Sequence, residues 1–250
     1  MAKRASRRYK DVNEPSYRDH GDNVRPLFDE HGWSPLDNTG TDQKYRKNIR
    51  PQNATQKKLI EALEQDPLVF AVGPAGTGKT YLAVAKAVEA LESGKVSRII
   101  LSRPAVEAGE SLGYLPGALE DKLSPYLRPL YDALSDRMSG KRLKALLAEG
   151  VIEIAPIAFM RGRTLNNAYI VVDEAQNCTY GQLKMLLTRL GWGSTMAVTG
   201  DPQQTDLLAE LSGLASVATK LEDRTGISVI RFNDSEVVRH PLVADIISAL

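Results

Sequence analysis

Cysteine is nearly absent. Only Cys178 occurs among 250 residues, so no internal disulfide framework can form, and a reducing compartment, the cytoplasm, is expected. No apolar run approaches the roughly 18 residues that cross a bilayer, which excludes a spanning helix. The opening "MAKRASRRYKD" is basic, but no apolar stretch follows it, so it does not read as a secretory leader. An excess of either charge is also lacking. Lys and Arg number 32 against 31 Asp and Glu, a net charge of +1. That argues against a globally basic, histone-like binder and leaves room for a local basic patch. No internal repeat is visible, which sets repeat architectures aside.

What is present is an ordinary globular composition, 42% hydrophobic and 25% charged, in a chain long enough for one sizeable core. Residues 1–50 differ from the rest. They are rich in Arg, Lys, Asp, Asn, Gly and Pro without a sustained apolar period, and read as an irregular basic arm, partly disordered or docked on a neighbour through Phe28 and Trp33. Lys3, Arg4, Arg7, Arg8 and Lys10 could touch phosphates or form a solvated tail. From residue 51 onward the pattern is regular. "PLVFAVG", "VSRIILS", "VIEIAP", "AYIVVDEA", "STMAVTGD" and "ISVIRF" read as strands. Before and between them lie helical stretches, among them "NATQKKLIEALEQ", "GKTYLAVAKAVEALESG", "KRLKALLAEG" and "YGQLKMLLTRLG". "GALEDKLSPYLRPLYDALSDRM" reads as helical pieces broken by Pro125 and Pro129, "DLLAELSGLASVATKLE" as a helix, and "HPLVADIISAL" as the last helix. Alternating strands and helices imply right-handed crossovers and a mostly parallel sheet with helices on both faces.

The stretch "GPAGTGKT" fits G-x-x-x-x-G-K-[ST] at every fixed position, after a hydrophobic strand and opening a helix. Gly73, Gly76 and Gly78, with Pro74, Ala75 and Thr77 between them, let the backbone curl so that its N–H groups face one concavity. Together with the helix N-terminus this favours phosphate oxygens. Lys79 can reach the β- and γ-phosphates of ATP, and the Thr80 hydroxyl can ligate Mg²⁺. A neighbouring strand must then supply a carboxylate, and "IVVDEA" does so: Asp173 would hold Mg²⁺, and Glu174 would poise a water for attack on the γ-phosphate. "VTGDPQQ" is a third polar strand end. Its strand should lie beside the phosphate-loop strand and present Asp201, Gln203 and Gln204 to the γ-phosphate side. The Gln204 amide can donate to a phosphate oxygen and accept from water at once. Upstream, Gln56 carries a primary amide able to pair with N6 and N7 of adenine.

These elements together resemble a superfamily 1 helicase core, with Gln56 at the adenine-reading glutamine, "GPAGTGKT" at motif I, "SRPAVEAG" at motif Ia, "VVDEAQN" at motif II and "GDPQQ" at motif III. The closer resemblance is to the PhoH-like ATPase family. It is carried by "SRPAVEAGESLGYLPGALEDKLSPYLRPLYDAL", "FMRGRTLNNAYIVVDEAQN" and "GDPQQTDL", and covers about residues 52–250. It implies a RecA-like P-loop NTPase core and ATP hydrolysis, often coupled to RNA or single-stranded nucleic acid. Some members carry an added nuclease or KH domain; neither is expected here.

Phosphoryl transfer gains about 10³ to 10⁵ in rate from an arginine on the γ-phosphate. With one phosphate loop and no room for a second core in 250 residues, that arginine is expected from the chain's own C-terminal segment or from a neighbour. Arg239 is the first candidate, with Arg161 and Arg163 as rivals. A head-to-tail contact that closes gives a ring, and a homo-hexamer is expected. Ser102 and Arg103 open the irregular segment "SRPAVEAGESLGYLPG" and could bind the phosphates of single-stranded RNA or DNA; Glu107 and Glu110 would oppose this. Two readings remain open, an ATPase working on nucleic acid and an ATPase switch engaging a protein. Glu174 and the glutamine sensor disfavour a small-molecule kinase, which must keep water from the γ-phosphate.

Overall fold

The computed structural model describes residues 49–104, 119–208 and 210–238. The arm to residue 48, residues 105–118 of the irregular segment, Arg239 and the terminal helix expected after it lie outside the described residues. All six expected strands form: β1 (Leu68–Val72), β2 (Arg98–Arg103), β3 (Ile152–Pro156), β4 (Ala168–Val172), β5 (Thr195–Gly200) and β6 (Ile227–Arg231). They make one sheet in the order β3-β2-β4-β5-β1-β6, and every pairing is parallel. Because every strand runs the same way, all the functional strand ends share one edge. The architecture is the α/β sheet with helices on both faces that the strand–helix alternation predicts, and agrees with the RecA-like P-loop core that the family resemblance implies.

Strand alternation sorts the core into two layers. Val69, Ala71, Ile99, Leu101, Tyr169, Val171 and Ala197 face one side. There they meet α1 (Ala54–Gln65), α2 (Lys79–Glu92), α3 (Leu119–Ser135) and α4 (Gly140–Ala148). Leu68, Phe70, Val72, Ile100, Ile170, Val172, Met196 and Val198 face the other side, against α5 (Tyr180–Leu187), α6 (Leu214–Leu221) and a 3-10 turn at Ile157–Met160. Five consecutive buried residues in β1 and in β4 reflect a sheet covered on both faces. A buried lysine ties α1 to α2. Lys86 of α2 is buried and donates to Glu64 of α1 at 2.6 Å and to Glu89 at 2.9 Å. Burial opposes its charge, but the two carboxylates outweigh this and hold the ammonium above its ordinary range.

Two expectations need correction. α3 is one helix running through both Pro125 and Pro129. A proline inside a helix costs about 3 kcal/mol through its lost N–H donor and its ring clash. Burying a leucine returns about 1.5–3 kcal/mol, and Leu127, Leu130 and Leu134 are all buried on one face of α3 while Pro129 is exposed. Tertiary burial therefore overrides the local break. The second correction is the stretch beginning at Asp206, where only α6 is helical. Its earlier part is pinned in an irregular path: Asp206 N–H donates to Asn177 Oδ1 and Asn177 Nδ2 to Asp206 Oδ2, each at 2.8 Å, and Ser212 Oγ donates to Gln176 O.

If burial rather than local preference sustains α3, Pro129→Ala restores a helix donor on an exposed face. It should stabilise the chain by about 1–2 kcal/mol, a Tm rise of about 2–6 °C. Thermal melts check this; a lowered Tm would show that Pro129 itself packs productively.

Candidate nucleotide site

The phosphate loop leaves β1 at Val72 and enters α2 at Lys79. Three of its glycines sit at positive φ: Gly73 at 141°, Gly76 at 80° and Gly78 at 85°. Gly73 is the tightest. A Cβ there would lie 2.4 Å from the carbonyl oxygen of Phe232, on the segment after β6, so neither the backbone angle nor the space admits a side chain. The loop is held from both flanks, by Gly73 N–H to Gly200 O at 3.1 Å and Val238 N–H to Gly76 O at 2.9 Å.

Lys79 curls back into the loop. Its ammonium donates to Gly73 O at 2.7 Å, Pro74 O at 2.6 Å and Thr77 Oγ1 at 3.2 Å. Burial pushes this ammonium below the ordinary lysine range, against the opposing pull of Asp201, Asp173 and Glu174. A cation held among carbonyls in this way can exchange them for phosphate oxygens at little geometric cost. Thr80 follows on α2, and its hydroxyl donates to Asp173 Oδ1 at 2.6 Å. Thr199 of β5 donates to the same oxygen at 2.8 Å. The expected strand neighbour is therefore present: β5 lies between β1 and β4, and its threonine links the loop side to the acidic side.

Glu174 follows Asp173 in the left-handed region, at φ 54° and ψ 38°. For a non-glycine residue this conformation costs about 1–3 kcal/mol, and such strain concentrates at functional positions. Its carboxylate accepts from Arg103 at 3.3 Å through Oε1 and from the Gln176 amide through Oε2. A cavity of about 250 Å³ opens between Gly76, Lys79, Thr80, Asp173, Glu174 and Gln204. The structure thus brings together the loop residues, Asp173, Glu174 and Gln204.

Other expected residues are placed differently. Gln56 is buried and spends its amide on the protein: Nε2 donates to Thr77 O at 3.0 Å and Oε1 accepts from Gln52 N–H at 2.8 Å. In this arrangement it braces the loop from α1. Asp201 lines the cavity, but its carboxylate is already engaged by backbone N–H groups. It accepts from Ala75 N–H at 3.2 Å and from Gln203 N–H at 3.0 Å. The Ser102 hydroxyl is buried and donates to Ala155 O at 2.9 Å, so it does not offer itself to a nucleic-acid backbone. Arg163 is engaged by Glu153 through two bonds of 2.5 and 2.6 Å, whereas Arg161 is exposed beside a second cavity of about 470 Å³. Cys178 is buried, and burial pushes its thiol up to about 12, which removes it from thiolate chemistry.

Sequence reasoning gave no role to Gln176, which proves to be the centre of the site. It is buried; its Oε1 accepts from Asp201 N–H at 3.1 Å, and its Nε2 donates to Glu174 and to Gln204 O at 3.2 Å. A Cβ on Gly200 would come within 2.6 Å of its Oε1, so the glycine that ends β5 makes room for it. The signal was its place two residues after Glu174 in "DEAQN"; the partners it would find across β5 were not legible in the string.

The family model described as PhoH-like protein matches residues 48–250. A PhoH-like protein of Bacillus subtilis is 56% identical over 204 residues, covering 81% of this chain and 64% of its own length. Protein PhoH of Escherichia coli is 43% identical over 204 residues, covering 80% of this chain and 58% of its own. The chain thus spans roughly three fifths of the curated relatives it matches. Among solved structures, the large terminase of a thermophilic bacteriophage in complex with ADP aligns over 78% of this chain and 49% of its own, with 12% identity and a TM-score of 0.47. Among the described residues no helix is long and apolar enough to cross a membrane, and no group of three or more His, Cys, Asp or Glu could hold a metal.

Lys79→Ala should weaken binding of a nucleoside triphosphate analogue about ten- to hundredfold, the loss of one charge-assisted contact. Calorimetric titration checks this; unchanged affinity would show that the ammonium never leaves its carbonyl cage.

Proposed function

The chain belongs to the PhoH-like protein family, and from that premise we propose that it is a Mg²⁺-dependent ATPase. The observation that carries the reading is the convergence of Lys79, Thr80, Asp173 and Glu174 on one cavity at the edge where the parallel strands end. The backbone N–H groups of residues 76–80 and the Lys79 ammonium bind the phosphates. The Thr80 hydroxyl and the Asp173 carboxylate, hard oxygen donors held together at 2.6 Å, fit Mg²⁺. One or two protein oxygens, completed by phosphates and water, is the usual arrangement for that ion, which agrees with the lack of an all-protein carboxylate cluster among the described residues. Bound there, Mg²⁺ supplies charge neutralisation at the β- and γ-phosphates. Glu174 orients the attacking water and accepts its proton, and Gln204 reads the γ-phosphate.

Coupling to single-stranded RNA or DNA is the leading extension of this reading, supported by the family resemblance and the basic residues of the first ten positions. A switch acting on a protein partner is the second. One observation favours it: at the end of β2, Ser102 is buried and Arg103 is paired with Glu174, which leaves less for a phosphate backbone to bind. The arginine finger comes from Arg239 or Arg161, supplied by the chain's own C-terminal segment or by a neighbour in a homo-oligomeric, hexameric ring; Arg163 is the weaker candidate because Glu153 already engages it. Residues 1–50 serve as an arm to the ATPase domain of residues 51–250.

Glu174→Gln should lower turnover at least about a hundredfold while leaving ATP affinity within about threefold, the signature of a lost general base. Turnover equal to wild type would overturn the hydrolytic assignment. Single-stranded RNA should raise turnover most at low salt, where phosphate contacts are strongest. A rate indifferent to RNA at low salt would shift the reading to the protein-directed switch.

A further inference from the structure

Glu174 is held from two opposite sides. Arg103 ends β2, and β2 flanks β4 on the side away from the phosphate loop, in the order β3-β2-β4-β5-β1-β6. Its guanidinium binds Oε1. Gln176 grips Oε2 and is itself fixed to Asp201 N–H and Gln204 O, at the end of β5, on the side toward the phosphate loop. One donor therefore draws the carboxylate away from the loop and the other toward it. Pro104, buried, follows Arg103 and disfavours a helical backbone there, and Asp173 N–H donates to Ser102 O at 2.9 Å, so the two strand ends are locked in register. The guanidinium is accordingly delivered to Glu174 by rigid backbone. The other charges lining the cavity are Lys79, Asp173 and Asp201.

We propose that Arg103 is a positioning residue that restrains Glu174, holding its carboxylate on the β2 side and out of line with the γ-phosphate until the pair opens. This rests on the hydrolytic reading of Glu174. With Arg103 released, the carboxylate keeps its Gln176 contact and so remains tied to the strand end that carries Gln204, where a water bound at the γ-phosphate is within its reach. The restraint therefore acts on the chemical step and not on nucleotide affinity, because Arg103 touches Glu174 and is not among the residues lining the cavity.

The test is steady-state ATP hydrolysis by the full chain carrying Arg103→Ala, Arg103→Lys, Glu174→Gln, or Arg103→Ala with Glu174→Gln. Arg103→Ala should raise kcat about two- to fivefold with KM changed by less than about twofold, the size of a partly exposed ion pair removed. Arg103→Lys, which keeps the charge, should stay near the wild-type kcat. In the Glu174→Gln background the alanine change should have no effect. Should the alanine variant not fold, Arg103→Gln carries the same expectation. A kcat that falls or stays put in Arg103→Ala, or a rise that persists in the Glu174→Gln background, would overturn the proposal. If Glu174→Gln alone turns over like wild type, it is the hydrolytic reading that fails, an outcome distinct from failure of the Arg103 restraint.

Discussion

The Asp173 carboxylate, shared by two threonine hydroxyls, is the interaction on which the rest of the site depends. Thr80 reaches it from the helix after the phosphate loop, Thr199 from β5, and the carboxylate itself stands at the end of β4. Three separate stretches of chain meet at one oxygen. That meeting is possible only because β5 lies between β1 and β4 in a fully parallel sheet, which brings their carboxyl ends to one edge. An antiparallel insertion anywhere among these three strands would send one of the groups to the opposite edge.

Around that point the strained and buried features form one connected set. Glu174 takes a left-handed backbone immediately after Asp173. Gln176, buried two residues on, carries the connection across to Asp201 and Gln204. Asp201 in turn holds Ala75 of the phosphate loop. Direct hydrogen bonds thus connect the loop through Asp201 and Gln176 to Glu174. The same chain continues outward, since Gln176 O accepts from Thr205 at 3.0 Å and Ser212 at 2.8 Å and so fixes the segment leading into α6.

Much of this was legible in the sequence, for identifiable reasons. The strands are short apolar runs bounded by turn residues, and the phosphate loop has fixed chemistry at fixed spacing, so both could be read locally. The expected place of β5 beside the phosphate-loop strand accounted for the polar residues at its end. What could not be read depends on contacts distant in sequence. The persistence of α3 through Pro125 and Pro129 rests on leucine burial against other elements. The irregular path before α6 rests on Asn177, about thirty residues earlier. The inward turn of Gln56 arises where α1 meets the phosphate loop, and the burial of Ser102 and the pairing of Arg103 with Glu174 arise where strands from separate parts of the chain lie side by side. A motif gives a residue's chemical type; the fold decides whether its polar atoms face a ligand or another part of the protein.

The central claim is that this edge of the sheet hydrolyses ATP with water oriented by Glu174. It is tested most directly by incubating the full chain with ATP and Mg²⁺ in heavy-oxygen water and examining the released phosphate by mass spectrometry. The account predicts Mg²⁺-dependent phosphate release in which each phosphate gains one solvent oxygen, and loss of that release in Glu174→Gln. Binding of ATP without phosphate release, or release that is unaffected by Glu174→Gln, would contradict it.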